Sequence, residues 1–591
     1  MVNGSAGLTA IDGDSDGYTS LTLDKSNAAL TISGVGTSTA ISIADAGAAL
    51  NTVTYDAVTG TADSATVTIG KAATGAGISM LGIETANVKL TGKAVLDTAN
   101  AFTNATAINV TNADTSTLDL SAATGAKAAV TVTGAGVLTL GTLNATIATV
   151  DASASTGGVT ATLDAAQTSV KGGSGVDSIT VAVPTTSINV STGAGNDTVD
   201  ISALVLTTAG TLDGTNEVIA GGDGTDTLVT DEADLTNANL KTNISKASGF
   251  EKLKATSAVT AFAADGFTAI SDFIFSADNT AAAGRTYTME SADSLTLTNS
   301  NSANAITINP VLDSGTDVLN LTLAASTANL TQFGITASQI ETINIVSSDT
   351  DATAANTNAI TTLTVQNNTK INVSGAADLT FTTATGTELT IDGSSATGKL
   401  SITVVGGNDT ITGGSAVDTI DGAAGVDTIN GAGGADVITG GAGADNLTGG
   451  AGADIFVFGT GDATITAAGV GADKITDFNT GGSDVLRVAA ANNVAAADVV
   501  VPVAGAAGSV SSGGKLTFAT ADDTLTEQIV VAIAETAANE VVFWENGSDT
   551  YVYFSGAAGD GSNDQMVKLV GVTGLTTITE STTTAGDFTI A

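Results

Sequence analysis

The chain contains no cysteine and no histidine. Without cysteine it forms no disulfide, no iron–sulfur cluster and no thiolate zinc site. Without histidine it has no Ser-His-Asp triad, no HExxH zinc site and no haem-ligating imidazole, which removes most hydrolase chemistry. Aromatic residues make up only 4% of the chain and there is one Trp, which argues against a sugar cleft lined by rings. Positive charge is the other shortage: 17 Lys and Arg stand against 60 Asp and Glu, a formal charge of −43. Such a chain repels nucleic acid and anionic membranes and attracts multivalent cations, so no nucleic-acid partner is expected. No run of about 18 apolar residues occurs, so no membrane insertion is expected either. The first residues carry neither a basic nor an apolar signal region, so an export address is expected elsewhere in the chain, unless the chain is a fragment.

What is present is Gly, Ala, Thr, Ser, Asn and Asp, with 42% apolar and 13% charged residues. That apolar content supports folding despite the charge, with parts of the chain needing a counter-ion. Short triplets with apolar ends and a polar centre recur, as at 108–110 (INV), 130–132 (VTV), 188–190 (INV), 363–365 (LTV), 371–373 (INV) and 389–391 (LTI). These read as strands with one face in and one face out. Their centres fall about every ten residues, a spacing that suits a sandwich, a barrel or a solenoid. A solenoid with two strands per coil is favoured, because the rhythm tightens to a strict nine near residue 404. The fold class is therefore all-β: an elongated parallel β-solenoid with a β-roll and a small C-terminal β domain. Blocks are expected at 1–229, 230–403, 404–460 and 461–591. Residues 231–254 are the best helix candidate, with Leu235, Leu240 and Ile244 roughly on one face. Glu84, Glu251 and Glu341 each lead into a strand, suggesting larger repeated modules. In the last block, 541–554 (VVFWENGSDTYVYF) reads as a hairpin turning at Asn546 and Gly547.

The chemistry is concentrated at 404–457, six consecutive nonapeptides: VVGGNDTIT, GGSAVDTID, GAAGVDTIN, GAGGADVIT, GGAGADNLT, GGAGADIFV. Asp409, Asp418, Asp427, Asp436, Asp445 and Asp454 fall nine apart, and the eighth position is Ile411, Ile420, Ile429, Ile438, Leu447 and Phe456. This is the GGxGxDxUx pattern of calcium-binding β-rolls. Each nonapeptide is half a coil, a six-residue loop and a three-residue strand whose U residue points inward. The glycines permit positive-φ turns and close approach of neighbouring loops. They are Gly407, Gly413, Gly414, Gly422, Gly425, Gly431, Gly433, Gly434, Gly440, Gly441, Gly443, Gly449, Gly450 and Gly452. Calcium takes six to eight oxygens, carbonyls and carboxylates together. Loops alternate sides, so Asp409, Asp427 and Asp445 should form one column and Asp418, Asp436 and Asp454 the other, with calcium between repeats n and n+2. A Gly/Asp-rich linker would need neither the register nor the U position. Isolated copies lie upstream at 172–180 (GGSGVDSIT), 192–200 (TGAGNDTVD) and 221–229 (GGDGTDTLV). Their Asp177, Asp197 and Asp226 lie 20 and 29 apart, outside the nine-residue register. They read either as single calcium ligands on larger coils or as ordinary turn residues.

These repeats resemble the RTX proteins of Gram-negative bacteria. The stretch after them, 454–458 (DIFVF), 473–478 (DKITDF) and 482–486 (GSDVL), is similar to the segment that joins an RTX roll to a type I secretion domain. The resemblance implies that Asp473, Asp477 and Asp484 lie at the roll's end, some near calcium. It also implies that the last residues, 587–591 (DFTIA), are an uncleaved export signal read by type I secretion machinery. The first 400 residues resemble the lattice-forming S-layer proteins of the RTX type. That resemblance implies a secreted, cell-surface subunit that self-assembles with calcium, with lipopolysaccharide as a possible anchor through a region not evident in this sequence. The competing reading is an RTX adhesin or matrix-binding protein. No enzyme is expected, because no carboxylate pair stands out. Asp12, Asp14 and Asp16 open like an EF-hand loop, but Leu23 stands where its bidentate Glu belongs.

Overall fold

A computed structural model describes residues 10–12, 19–24, 29–55 and 62–98, most of 100–204, residues 218–231, and most of 247–459 and 472–488. It also describes 541–555, 565–575, 577–580 and 587–590, with a few isolated positions elsewhere. Every named element among them is a strand. Among the described residues no helix is long and apolar enough to cross a membrane.

The contacts divide the chain into two units, one of residues 1–259 and 266–275, the other of 260–265 and 276–591. In the first, strands follow one another on alternate sides of a coil. Ala107–Asn112 pairs in parallel with Ala128–Gly134, which pairs with Ile147–Ser155, then Ser169–Lys171, Asn189–Ala194 and Val218–Asp223. The interleaved strands Ser116–Leu118, Leu138–Thr142, Val159–Leu163, Ser178–Val181, Thr198–Asp200, Thr227–Thr230 and Lys252–Ala255 form a second parallel ladder. Two strands per coil is thus the observed plan. Parallel pairing in register stacks like on like: Ile108, Val130, Val150, Val170, Val190 and Ile219 are aligned neighbours, and all are buried. The eighteen-residue strand Ser64–Leu81 serves both ladders, pairing with Thr85–Leu90 through its first half and with Ala94–Leu96 through its second.

The helix expected at 231–254 is overturned at its C-terminal end. Lys252–Ala255 is a strand, paired with Thr227–Thr230 and with Asp272–Phe275. Alternating Leu253 and Ala255 bury while Lys254 faces out, a period of two that outweighs the helical spacing further upstream. Leu240 and Ile244 lie outside the described residues, as do Asp14 and Asp16, whereas Asp12 ends the strand Ala10–Asp12.

The second unit repeats the plan. One ladder runs Val318–Ala325, Thr342–Asp349, Lys370–Gly375, Thr390–Ala396, Thr410–Thr412, Thr428–Asn430, Asn446–Thr448 and Asp473–Ile475. The other runs Asn358–Val365, Leu379–Thr385, Leu400–Thr403, Thr419–Asp421, Val437–Thr439, Ile455–Phe458 and Val485–Val488. The nonapeptides therefore extend ladders already under way. The strands of the first five repeats shrink to three residues with only the middle one buried, because the U residue is the one apolar side chain of each that points inward, while Val417 and Val426 lie exposed in the loops.

Beyond the repeats the pairing turns antiparallel. Val541–Asn546 and Asp549–Phe554 form the expected hairpin, whose tight turn centres on Gly547 and Ser548, one residue later than the sequence signal suggests. Gly547 takes φ of 67°, as the first central residue of a primed turn requires. Trp544 stacks on Tyr551 with ring centroids 5.6 Å apart, in a core with Val542, Tyr553 and Met566. Gln565–Leu569 closes this sheet and also pairs in parallel with Asp473–Ile475, joining it to the roll. Asp587–Ile590 adds antiparallel to Val485–Val488 and covers the end of that ladder. Arg487 clasps Asp587 through two hydrogen bonds.

Candidate metal centre

The strands of 410–456 place the six repeat aspartates inside the turns, each no more than 1% exposed. Each uses one carboxylate oxygen in the same way. Oδ1 of Asp427 accepts the backbone N–H of Asp409 at 2.7 Å, and Oδ1 of Asp445 accepts that of Asp427 at 2.8 Å. On the other side Oδ1 of Asp436 accepts from Asp418 at 2.7 Å, and Asp454 from Asp436 at 2.9 Å. The two predicted columns exist, and the link between rungs is a carboxylate to the main chain one coil back. Asp473 and Asp484 continue them, accepting from Asp445 and Asp454 at 2.9 Å each. At the other end Asp409 and Asp418 accept from Leu389 and Leu400.

The second oxygens decide what the columns can hold. Oδ2 of Asp409, Asp427, Asp436, Asp445 and Asp473 is buried without any hydrogen-bond partner. A buried carboxylate oxygen left bare costs several kcal/mol, roughly, unless a cation or proton answers it. The glycine that opens each of the second to sixth repeats leaves room beside its aspartate's Oδ2. A Cβ on Gly422 would stand 2.6 Å from Asp427 Oδ2 and 2.7 Å from the Gly440 carbonyl, which belongs to repeat n+2. Gly413 faces Asp418 and the Gly431 carbonyl in the same way, and Gly431 faces Asp436 and the Gly449 carbonyl. Gly440 and Gly449 each abut the aspartate of their own repeat. Among the described residues no three acidic or other metal-ligating side chains cluster. The oxygens come instead from single carboxylates and main-chain carbonyls on successive coils, the mixed donor set calcium takes.

The remaining glycines divide by position. Gly425, Gly434, Gly443 and Gly452 lie directly on a carbonyl of the preceding coil. Gly407, Gly441 and Gly450 turn the chain at φ of 114°, 95° and 99°, and the amide of Gly414 donates to Asp418 Oδ2. Gly433 differs, since a Cβ there would meet nothing within 3.8 Å. Ala423 and Ala432 hold the turn position at φ of 64° and 71°, a left-handed conformation that costs an L-residue about 1–2 kcal/mol. Ala423→Gly and Ala432→Gly are therefore expected to stabilise the calcium-loaded roll by up to about 1 kcal/mol each after glycine's larger unfolded-state entropy, read as a higher urea midpoint.

Residues 404–438 and 430–465 match the family model of the RTX calcium-binding nonapeptide repeat. This segment is an RTX repeat array. It spans roughly a tenth of the chain, and no curated protein matches the chain. Within the RTX array the buried oxygens and the glycine cradles fit calcium. Asp409, Asp427, Asp436, Asp445 and Asp473 would hold it with their free oxygens; Asp454 stands at the corresponding rung, whereas Asp418, at the array's edge, already accepts from Leu400 and Gly414 with its two oxygens. Asp477 and Asp484, implied as ligands by resemblance, have both oxygens engaged. Asp477 accepts from Gly449 and Gly450, and Asp484 from Asp454 and Asn479. They brace the last loops.

Burial pushes the carboxyls of the RTX array upward, opposed by their backbone hydrogen bonds and reinforced by neighbouring aspartates. Asp427 and Asp436 are raised to about 7. Asp445 and Asp473, which face each other, are both raised, by burial first. A group whose pKa is raised on folding favours the fold below its unfolded value, and that stability is lost as pH rises through the folded value. Without calcium, the array is expected to gain β structure between pH 8 and pH 5. With calcium the sign reverses, because protons compete for the same oxygens. The calcium midpoint followed by circular dichroism should move to higher concentration below about pH 7. A midpoint independent of pH would contradict this assignment.

Asp177, Asp197 and Asp226, out of register in the sequence, form one column in the first unit. Oδ1 of Asp177, Asp197 and Asp226 accepts from Val159, Asp177 and Asp197 in turn, at 2.6, 2.7 and 2.7 Å. The recurring glutamates also have a role that sequence reading missed. Oε2 of Glu84, Glu251 and Glu341 accepts the N–H of Asp63, Asp226 and Asp317, one coil earlier. Each glutamate's own N–H, and that of the next residue, donates back to the same aspartate's carbonyl. The only sequence signal is an aspartate at varying distance upstream, preceded in two cases by Gly-Thr.

Proposed function

We propose that the protein is a secreted structural subunit of a Gram-negative surface layer, folding and self-assembling as calcium fills the RTX array. The observation that carries this reading is the pair of buried aspartate columns with bare oxygens. Extracellular calcium modules bind at about 10⁻⁴–10⁻³ M, so such sites would be empty in a cytosol and filled outside. Export through type I machinery follows from the resemblance of the C-terminal residues. Self-assembly is supported by uncharged outward ladders. Asn320, Asn344 and Asn372 are linked side chain to side chain at 2.8 and 2.7 Å, and Asn87 and Asn109 at 2.9 Å. Calcium would also reduce the repulsion from a formal charge of −43. Light scattering and electron microscopy across a calcium titration test the reading. Ordered sheets at millimolar calcium are expected. Persistent monomers that bind a polysaccharide array would replace the lattice with an adhesin.

A further inference from the structure

The first unit holds a cleft that the aspartate columns do not touch. Its volume is about 1080 Å³, and it lies along the turns at 44–48, 70–74 and 91–95 on three successive coils. It forms where the strand Ser64–Leu81 rounds a corner without a tight loop. That strand pairs with Ala40–Ala46 before the corner and with Leu50–Tyr55 after it, bending at Gly75, where φ is 88°. The coils approach closely here. A Cβ on Gly70 would strike the Ala44 carbonyl at 2.5 Å, and one on Gly92 the Gly70 carbonyl at 2.3 Å. No side chain grows from either position to fill the space.

The charge in the cleft is opposite to that of the chain. Lys71 and Lys93 line it from adjacent coils, and both are exposed. The N–H of Ala72 donates to the Lys93 carbonyl at 3.3 Å, which sets the two lysines one rung apart. Asp45 is the only acid among the described lining residues, and Lys71 reaches it at 3.4 Å. Among the described residues no ion pair includes Lys93. Asp97 and Asp114, on the same coil as Lys93 and the next, hold the N–H groups of Gly75 and Thr115 instead. Two ammonium groups against one carboxylate leave one positive charge in excess, in a chain with 17 basic and 60 acidic residues. At physiological ionic strength charges beyond about 8 Å are largely screened, so the lysines set the potential inside the cleft.

We propose that this cleft binds a sugar carrying a phosphate or carboxylate group. Lysine is a compact point charge that suits either anion, and Lys93 with Lys71 would take it. Asp45 and the exposed hydroxyls of Thr74 and Thr91 offer hydrogen bonds to the sugar hydroxyls. No aromatic ring is among the described lining residues and Val95 is the one large apolar side chain, so neither a nucleobase nor an acyl chain finds a seat. The volume matches the upper end of ligand pockets, about 300–1,000 Å³. The site needs neither bound calcium nor a lattice.

The test is isothermal titration calorimetry of the full chain in calcium with glucose 6-phosphate, glucuronate and glucose. One equivalent of either acidic sugar is expected to bind, and glucose to bind far more weakly. K93Q should weaken the acidic sugar roughly tenfold or more, the loss of one charge-assisted hydrogen bond. K254Q, which removes an equally exposed lysine on the outward face of another strand, should bind as the wild type does. Both lysines lie outside the core, so both variants keep the fold. Equal losses in K93Q and K254Q would mean diffuse attraction and overturn the site. Glucose binding as well as the two acids, or no binding at tens of millimolar sugar, overturns it too.

Discussion

Chelating calcium should unfold residues 410–458 and the strands Asp473–Ile475 and Val485–Val488 while leaving the coils before them in place. In a chelator at pH 8, amides of Thr410–Thr412, Val437–Thr439 and Ile455–Phe458 are expected to exchange as in an unfolded chain. Those of Val318–Ala325 and Thr342–Asp349 should stay protected. The difference lies in what each coil buries. The earlier strands bury several apolar residues each, as Leu319, Leu321, Leu323 and Ala325 show in one strand. A strand of the roll buries one, and its loop buries a carboxylate with a bare oxygen. One Ile contributes roughly 1.5–3 kcal/mol, which does not offset an uncompensated buried charge of several kcal/mol, roughly. A site at 100 times its Kd adds about 2.7 kcal/mol, so two filled sites approach the 5–15 kcal/mol, roughly, of a whole domain. Full protection of the roll in chelator would show that the aspartates stay protonated or are satisfied without metal.

Two adjacent glycines should respond in opposite ways to the same substitution. Gly434 has φ of 135°, and a Cβ there would strike the Ala416 carbonyl of the preceding coil. That φ is nearly closed to L-residues, with strain of about 1–3 kcal/mol, and the clash also forces the loops apart. Gly434→Ala should therefore destabilise the calcium-loaded roll by about 3 kcal/mol or more and weaken its calcium binding. Gly433 has open space and no such φ. Gly433→Ala should leave the roll unchanged or stabilise it by about 0.4–1 kcal/mol, by restricting the unfolded chain. Urea unfolding in saturating calcium measures both, and equal losses would mean that loop spacing is not what the fourth-position glycine controls.

Much of the roll is legible from residue spacing because its period is fixed. Nine residues make half a coil, so counting alone puts Asp409 over Asp427 and Ile411 over Ile429, and the structure pairs them so. The column of Asp177, Asp197 and Asp226 escapes such counting, since its coils differ in length by nine residues. What aligns those aspartates is the register of the flanking strands, Ser178–Val181, Thr198–Asp200 and Thr227–Thr230. The helix expected near 231–254 misleads at its end for a related reason: local periodicity says nothing of the strand edge that Lys252–Ala255 completes.

By itself the sequence determines the all-β class, the two-strand coil and which atoms are offered to a cation. Alternating apolar residues, glycine at fixed steps and acids without bases are local properties, and they act wherever the chain goes. Only the tertiary structure decides which oxygens remain bare. It closes Asp477 and Asp484 with backbone N–H groups and satisfies Asp317 with Ser314, while Asp226 and Asp427 each keep an oxygen free. The physical reason is that the closing N–H comes either from a neighbouring coil brought over by strand register, as Gly449 and Gly450 for Asp477, or from the bend of the loop itself, as Ser314 for Asp317, and local periodicity sets neither.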